Sequence, residues 1–141
     1  MLLLDNDAVE ASLAVDAAIA AIRAVYLEAN AGGAAYRPRS TFHVARGPEQ
    51  RFTFASMEGV SAANEVAAIR IRSDFVTNHP ETGHETKFST RPGDYCGLVL
   101  LFSTANAEPL AILNDGVLQH LRVAATAAVA ANSWPVAMRA S

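Results

Sequence analysis

The apolar residues of this 141-residue chain change their spacing twice, and that change limits the fold more than any single motif. In "VDAAIAAIRAVYLEAN", Val15, Ile19, Ile22, Tyr26 and Ala29 recur at intervals of three and four, which predicts an amphipathic helix over 15–30. Gly32-Gly33 ends it, because glycine accepts the left-handed conformation that closes a helix. The period then falls to two. "RFTFASM" places Phe52 and Phe54 on one face, and "AAIRIRSDF" places Ile69 and Ile71 opposite Arg70, Arg72 and Asp74. "CGLVLLFS" is a continuous apolar run suited to a strand buried on both faces, and "EPLAILND" follows it after a turn, predicting a hairpin. After Asn114-Asp115-Gly116 the helical period returns in an alanine-rich segment that carries Arg122 near its start.

Two segments are less regular. Leu2 to Leu4 reads as a short strand, with Asp5 or Asp7 capping a helical turn behind it. "VTNHPETGHETKFSTRPGDY", about twenty residues without apolar period, reads as a long loop of the functional or mobile kind. The order helix, strands, closing helix predicts an α+β fold with a mainly antiparallel or mixed sheet, and not a doubly wound one. Residues 1–133 form one domain on this reading, and 134–141 a divergent tail.

The net charge of -3 gives no footprint for nucleic acid, so that partner is excluded. The apolar stretch from Val123 to Met138 is too short for a membrane span and is broken by Asn132, Ser133 and Pro135. Cys96 is the single cysteine, which points to a reducing, cytoplasmic location, and the start lacks the basic region of a signal peptide. No zinc-protease, nucleophile-elbow or phosphate-loop motif is present, and His79 and His84 at a spacing of five make no metal site.

Arginine carries the remaining chemistry: ten arginines stand against one lysine, Lys87. A guanidinium fork grips a carboxylate or phosphate with two hydrogen bonds. Arg39 lies in "YRPRSTF", Arg70 and Arg72 share one strand face, and Arg122 projects from the first turns of the closing helix, so three segments offer guanidinium groups to one anion. Pairing with nearby acids such as Asp74, Glu58 or Asp115 is the alternative.

"LLLDNDAV", "YRPRSTF", "AIRIRSDF", "GLVLLFSTANAEPLAILNDG" and "LQHLRVAATAAVAA", in this order, resemble the amino-terminal part of the ornithine cyclodeaminase and mu-crystallin family, over nearly the whole chain to about Ser133. The resemblance implies a dimeric, two-domain, NAD(P)-dependent enzyme of amino-acid metabolism: a cyclodeaminase, amino-acid dehydrogenase or ketimine reductase. The amino-terminal domain would bind the substrate carboxylate and form the homodimer, and a following Rossmann domain would hold the nucleotide. Matched to the family pattern, Arg39, Arg70 and Arg122 are the carboxylate ligands, with Arg72 as an alternative and Glu58 as an acid or base nearby.

Two departures qualify this. The family's strand lysine falls on Arg70, and arginine does not release a proton at usable pH, so anion binding survives there and proton transfer does not. "NSWPVAMRAS" contains no glycine where the family begins its phosphate loop, so this chain is expected to hold no cofactor itself. The expectation is a fragment of such an enzyme, inactive alone, or a non-catalytic small-molecule-binding or dimerisation module.

Overall fold

The computed structural model describes residues 1–88 and 97–133. Along the chain run β1 (Leu2–Leu4), α1 (Asn6–Ser12), α2 (Val15–Asn30), β2 (Ala34–Tyr36), β3 (Ser40–Ala45), β4 (Gln50–Ser61), β5 (Val66–His79), β6 (His84–Phe88), β7 (Leu98–Ser103), β8 (Pro109–Asn114) and α3 (Gly116–Ser133). The fold is α+β, with all eight strands in one mixed sheet. Only β1, beside β8, pairs in parallel.

The sheet is built on the β4–β5 hairpin, paired from Gln50↔Thr77 to Ser61↔Val66. These two strands are too long for single neighbours. β7 lies against the first half of β5 and β6 against its last residues. On the far side, β2 and β3 share the edge of β4. Tyr36 pairs with Gly59 and Ser40 with Ser56, so three residues (37–39) stand opposite two (57–58), a β-bulge of one extra residue. Pro38 belongs there: it has no N–H to offer a ladder, and a bulged edge asks for none.

Among the described residues, helices cover one sheet face only. Parity along β5 puts Ala68, Arg70, Arg72, Asp74 and Val76 on the helix side and Ile69, Ile71 and Phe75 on the open side. α2 and α3 pack together there through small residues, with Ala18 and Ala125 buried. The open face carries a row of Val44, Phe52, Phe75 and Phe88 across four strands, with Phe52 and Phe75 edge to face at 5.8 Å. Phe42 is 65% exposed and Phe88 52%.

Two expectations are corrected. The segment beginning at Val76 is not a long loop: β5 runs on to His79, turns through Gly83 (φ +68°) and returns as β6. Its strands are held by backbone pairing and polar cross-strand contacts, such as Arg51 to Asn78 at 3.0 Å, so no apolar period marks them. Residues 89–95 of that segment lie outside the described residues. Nor is β7 buried on both faces: all of it is part-exposed, and Phe102 looks out from the helix-free side. Cys96, read as part of this strand, also lies outside the described residues.

Gly97 fixes how β7 enters the sheet. A Cβ there would stand 2.2 Å from the Ile71 carbonyl oxygen, so only glycine permits the approach to β5. Among the described residues no helix is long and apolar enough to cross a membrane.

Candidate functional site

A concavity of about 810 Å³ opens between the helices and the sheet. Met57, Ala68, Arg70 and Val99 form its floor, α2 supplies Tyr26 and Asn30, and α3 supplies Leu118, Gln119 and Arg122. Positions 115, 119 and 122 are spaced by four and three, so Asp115, Gln119 and Arg122 share one face at the start of α3.

Arg70 is held at the centre. Its Nε donates to Asp115 Oδ2 and its Nη2 to Gln119 Oε1, which ties β5 to the first turn of α3. The Arg70 side chain is 13% exposed and that of Asp115 only 1%, so this is a buried ion pair. Asp115 is fixed by its main chain as well: its N–H donates to the Gly97 carbonyl at 3.1 Å and its carbonyl accepts from Gln119 N–H at 2.8 Å. Its Oδ1 has no hydrogen-bond partner among the described residues. The neighbouring Val117 N–H donates to Asn6 Oδ1 from α1 at 3.2 Å.

Arg122 differs from Arg70. It is exposed, and its guanidinium has no partner among the described residues. One turn behind Gln119, it lines the concavity together with Arg37, whose guanidinium likewise has no partner among the described residues.

The other candidates are distributed differently. Arg39, at the bulge, and Arg72 line a second, smaller concavity of about 240 Å³ further along the same face. Arg72 donates through Nε to Asp74 Oδ2 at 2.9 Å, whereas Arg39 has no partner among the described residues. The structure thus groups Arg70 with Arg122, and Arg72 with Arg39. Glu58 stands opposite Ile69 with its carboxylate accepting from Ser56 Oγ at 3.0 Å, and it lines a hollow of about 460 Å³ beside Val60, Ala67 and Phe102 on the open side. Glu58 also borders the first concavity, although parity points its side chain away from Arg70.

Gln119 is the residue that sequence reasoning did not single out, although the 115/119/122 spacing was available as a signal. Asp115 and Asp74 stood there as acids that could pair with the arginines, and the structure pairs them with Arg70 and Arg72.

The described residues do not fit a dinucleotide. A pyrophosphate needs free N–H groups at a helix start with a glycine-rich turn beneath. Here α1 begins with Asp5, whose carboxylate already accepts from Ala8 N–H, α3 begins beside Asp115, and the first turn of α2 carries Asp16. Negative groups occupy or border each of these starts. Among the described residues three arginines, Arg37, Arg70 and Arg122, line the concavity, a set able to bind and orient an anion.

No protein-family model matches the sequence, and no curated protein matches it. Solved structures do. The chain is similar to a probable ornithine cyclodeaminase from Bordetella pertussis Tohama I, with 25% identity and a TM-score of 0.70, over 93% of this chain and 35% of that one. It is also similar to the Thermococcus litoralis Δ1-pyrroline-2-carboxylate reductase, solved with NADH and L-proline (22% identity, TM-score 0.68, 90% of this chain and 36% of that one). The iminosuccinate reductase of Paracoccus denitrificans, solved with NAD+, gives 21% identity and a TM-score of 0.64 over 91% of this chain and 36% of that one. The chain spans about a third of the length of these enzymes.

Proposed function

We propose that this chain, whose fold is shared with ornithine cyclodeaminase and related reductases, is the substrate-carboxylate-binding and dimerisation part of an NAD(P)-dependent enzyme acting on an amino acid or imine. The observation that carries the reading is the pairing state of two arginines on one wall. Arg70 is locked by Asp115 and Gln119, and Arg122 lines the same concavity without a partner among the described residues.

In this reading Arg122 grips the carboxylate, and Arg70 supplies fixed positive potential from the floor. Arg37 lines the same concavity, whereas Arg39, the candidate from the sequence, lines the second one with Arg72. Hydride chemistry belongs to the nucleotide, which the described residues do not cradle, so what they contribute is orientation of the substrate. The open sheet face supplies the dimer contact, because a soluble monomer seldom leaves so continuous an aromatic surface uncovered.

The test is calorimetric titration of the 141-residue chain with L-proline and a panel of other α-amino acids. Saturable binding that weakens at least tenfold in Arg122→Ala is expected. Binding that ignores this substitution, or no binding by any member of the panel, would overturn the carboxylate assignment. A second reading, a small-molecule-binding or dimerisation module without chemistry, is favoured by the acidic helix starts. Saturable NADH binding by these residues alone would count against it.

A further inference from the structure

The second concavity has a composition unlike the rest of the molecule. Four cations, Arg39, Arg51, Arg72 and Lys87, meet there over two carboxylates, Asp74 and Glu85. The acids are committed: Asp74 takes Arg72, and Glu85 takes Arg51 at 2.7 Å. Arg39 and Lys87 have no partner among the described residues, so the hollow holds a local surplus of two positive charges in a chain whose net charge is -3.

We propose that this concavity is a binding site for a phosphate dianion, free or as a small monoester. The two unpartnered cations enter from opposite edges, Arg39 from the bulge before β3 and Lys87 from β6, where it stands opposite Val76. Thr41 adds a hydroxyl on the same face, and His43 and Thr53 sit between the edges, joined at 3.1 Å.

Charge and geometry select phosphate over carboxylate. A planar monocarboxylate is satisfied by one guanidinium fork. A dianion instead answers the surplus of two positive charges, and its oxygens accept hydrogen bonds from several directions at once. At about 240 Å³ the hollow is below the roughly 300–1,000 Å³ usual for larger organic ligands, which suits a phosphate group and not a dinucleotide. The floor is four paired strands, which fix the backbone beneath the site. The site uses neither Arg70 nor Arg122 and stands apart from the carboxylate reading.

The test is a phosphorus NMR titration of the 141-residue chain with inorganic phosphate and, separately, with methyl phosphate, at physiological ionic strength. A saturable shift is expected with at least one of them, and the tighter of the two identifies the source. Lys87→Gln and Arg39→Gln, both at exposed positions, should each weaken binding at least tenfold. Glu85→Gln should tighten it several-fold by removing a competing negative charge, and Arg122→Ala should leave it unchanged. Absence of saturation with both anions overturns the proposal. So does binding that survives Lys87→Gln, or binding that disappears in Arg122→Ala.

Discussion

Arg70 and Asp115, separated by 45 positions in the chain, meet through Nε and Oδ2 where the middle of β5 passes beneath the start of α3. The contact sets both the attachment of the helix and the position of the concavity floor. Charges this well buried gain from pairing only while both partners are present.

Asp115→Ala should therefore destabilise the chain by about 3–5 kcal/mol, since it leaves the Arg70 charge without its partner. Arg70→Met should cost a similar amount. The double variant should lose clearly less than the sum, and urea unfolding of all four forms measures this. Strict additivity would mean that the two side chains are not coupled.

Gly97→Ala should destabilise by about 1–3 kcal/mol or more, because the added methyl meets a backbone carbonyl that cannot rotate away. Gly47→Ala is an informative control. That glycine has φ +146° and open space around it, so any cost there comes from backbone conformation and not from contact. Equal stabilities of Gly97→Ala and the parent chain would contradict the close approach of β7 to β5.

Acid should weaken the joint between α2 and the β4–β5 turn. Glu28 accepts from the Ala63 N–H at 2.8 Å and from Ser61 Oγ at 2.6 Å, and these donors hold its pKa below the ordinary carboxylate value of 4.5. A depressed folded-state pKa gives stability that is fully present above the unfolded-state value and is lost as pH falls through the folded one. The parent chain should thus be more stable than Glu28→Gln near neutrality, and the difference should shrink below about pH 4.5. A difference that stays constant from pH 7 to pH 3 would rule this out.

The open face should make the chain a dimer at micromolar concentration. Phe42 is well exposed on that face, so Phe42→Asp should leave the protomer folded while weakening self-association by 30-fold or more, equivalent to loss of a contact of about 2 kcal/mol. Sedimentation distinguishes the outcomes. A parent chain that sediments as a 14.9 kDa monomer would remove the dimer from the proposed function.

Much of this architecture was legible before any coordinates. The stripe from Val15 to Ala29 is satisfied by one buried side, and α2 occupies the expected 15–30. β4 and β5 showed their period because helices cover one face and aromatics crowd the other. β6 did not, since all five of its residues are exposed and no burial writes a pattern into them. At the site, residue type was readable and partnership was not. Arg70 and Arg122 stood out as cations, but whether each is paired depends on which acid the fold brings near, and Asp115 reaches Arg70 only after α3 has docked.

The extra residue at Pro38–Arg39 has an effect out of proportion to its size. In an unbroken strand, Arg37 and Arg39 would share a side, and Phe42 and Val44 would point toward the helices while Thr41 and His43 turned to the opposite surface. The insertion resets the phase of everything after it. Phe42 and Val44 thereby join the aromatic surface, and Thr41 and His43 the side that carries the helices and the cations. Removing a single amino acid there would exchange apolar for polar side chains along β3, so the separation of the molecule's two surfaces hangs on the parity of one short edge.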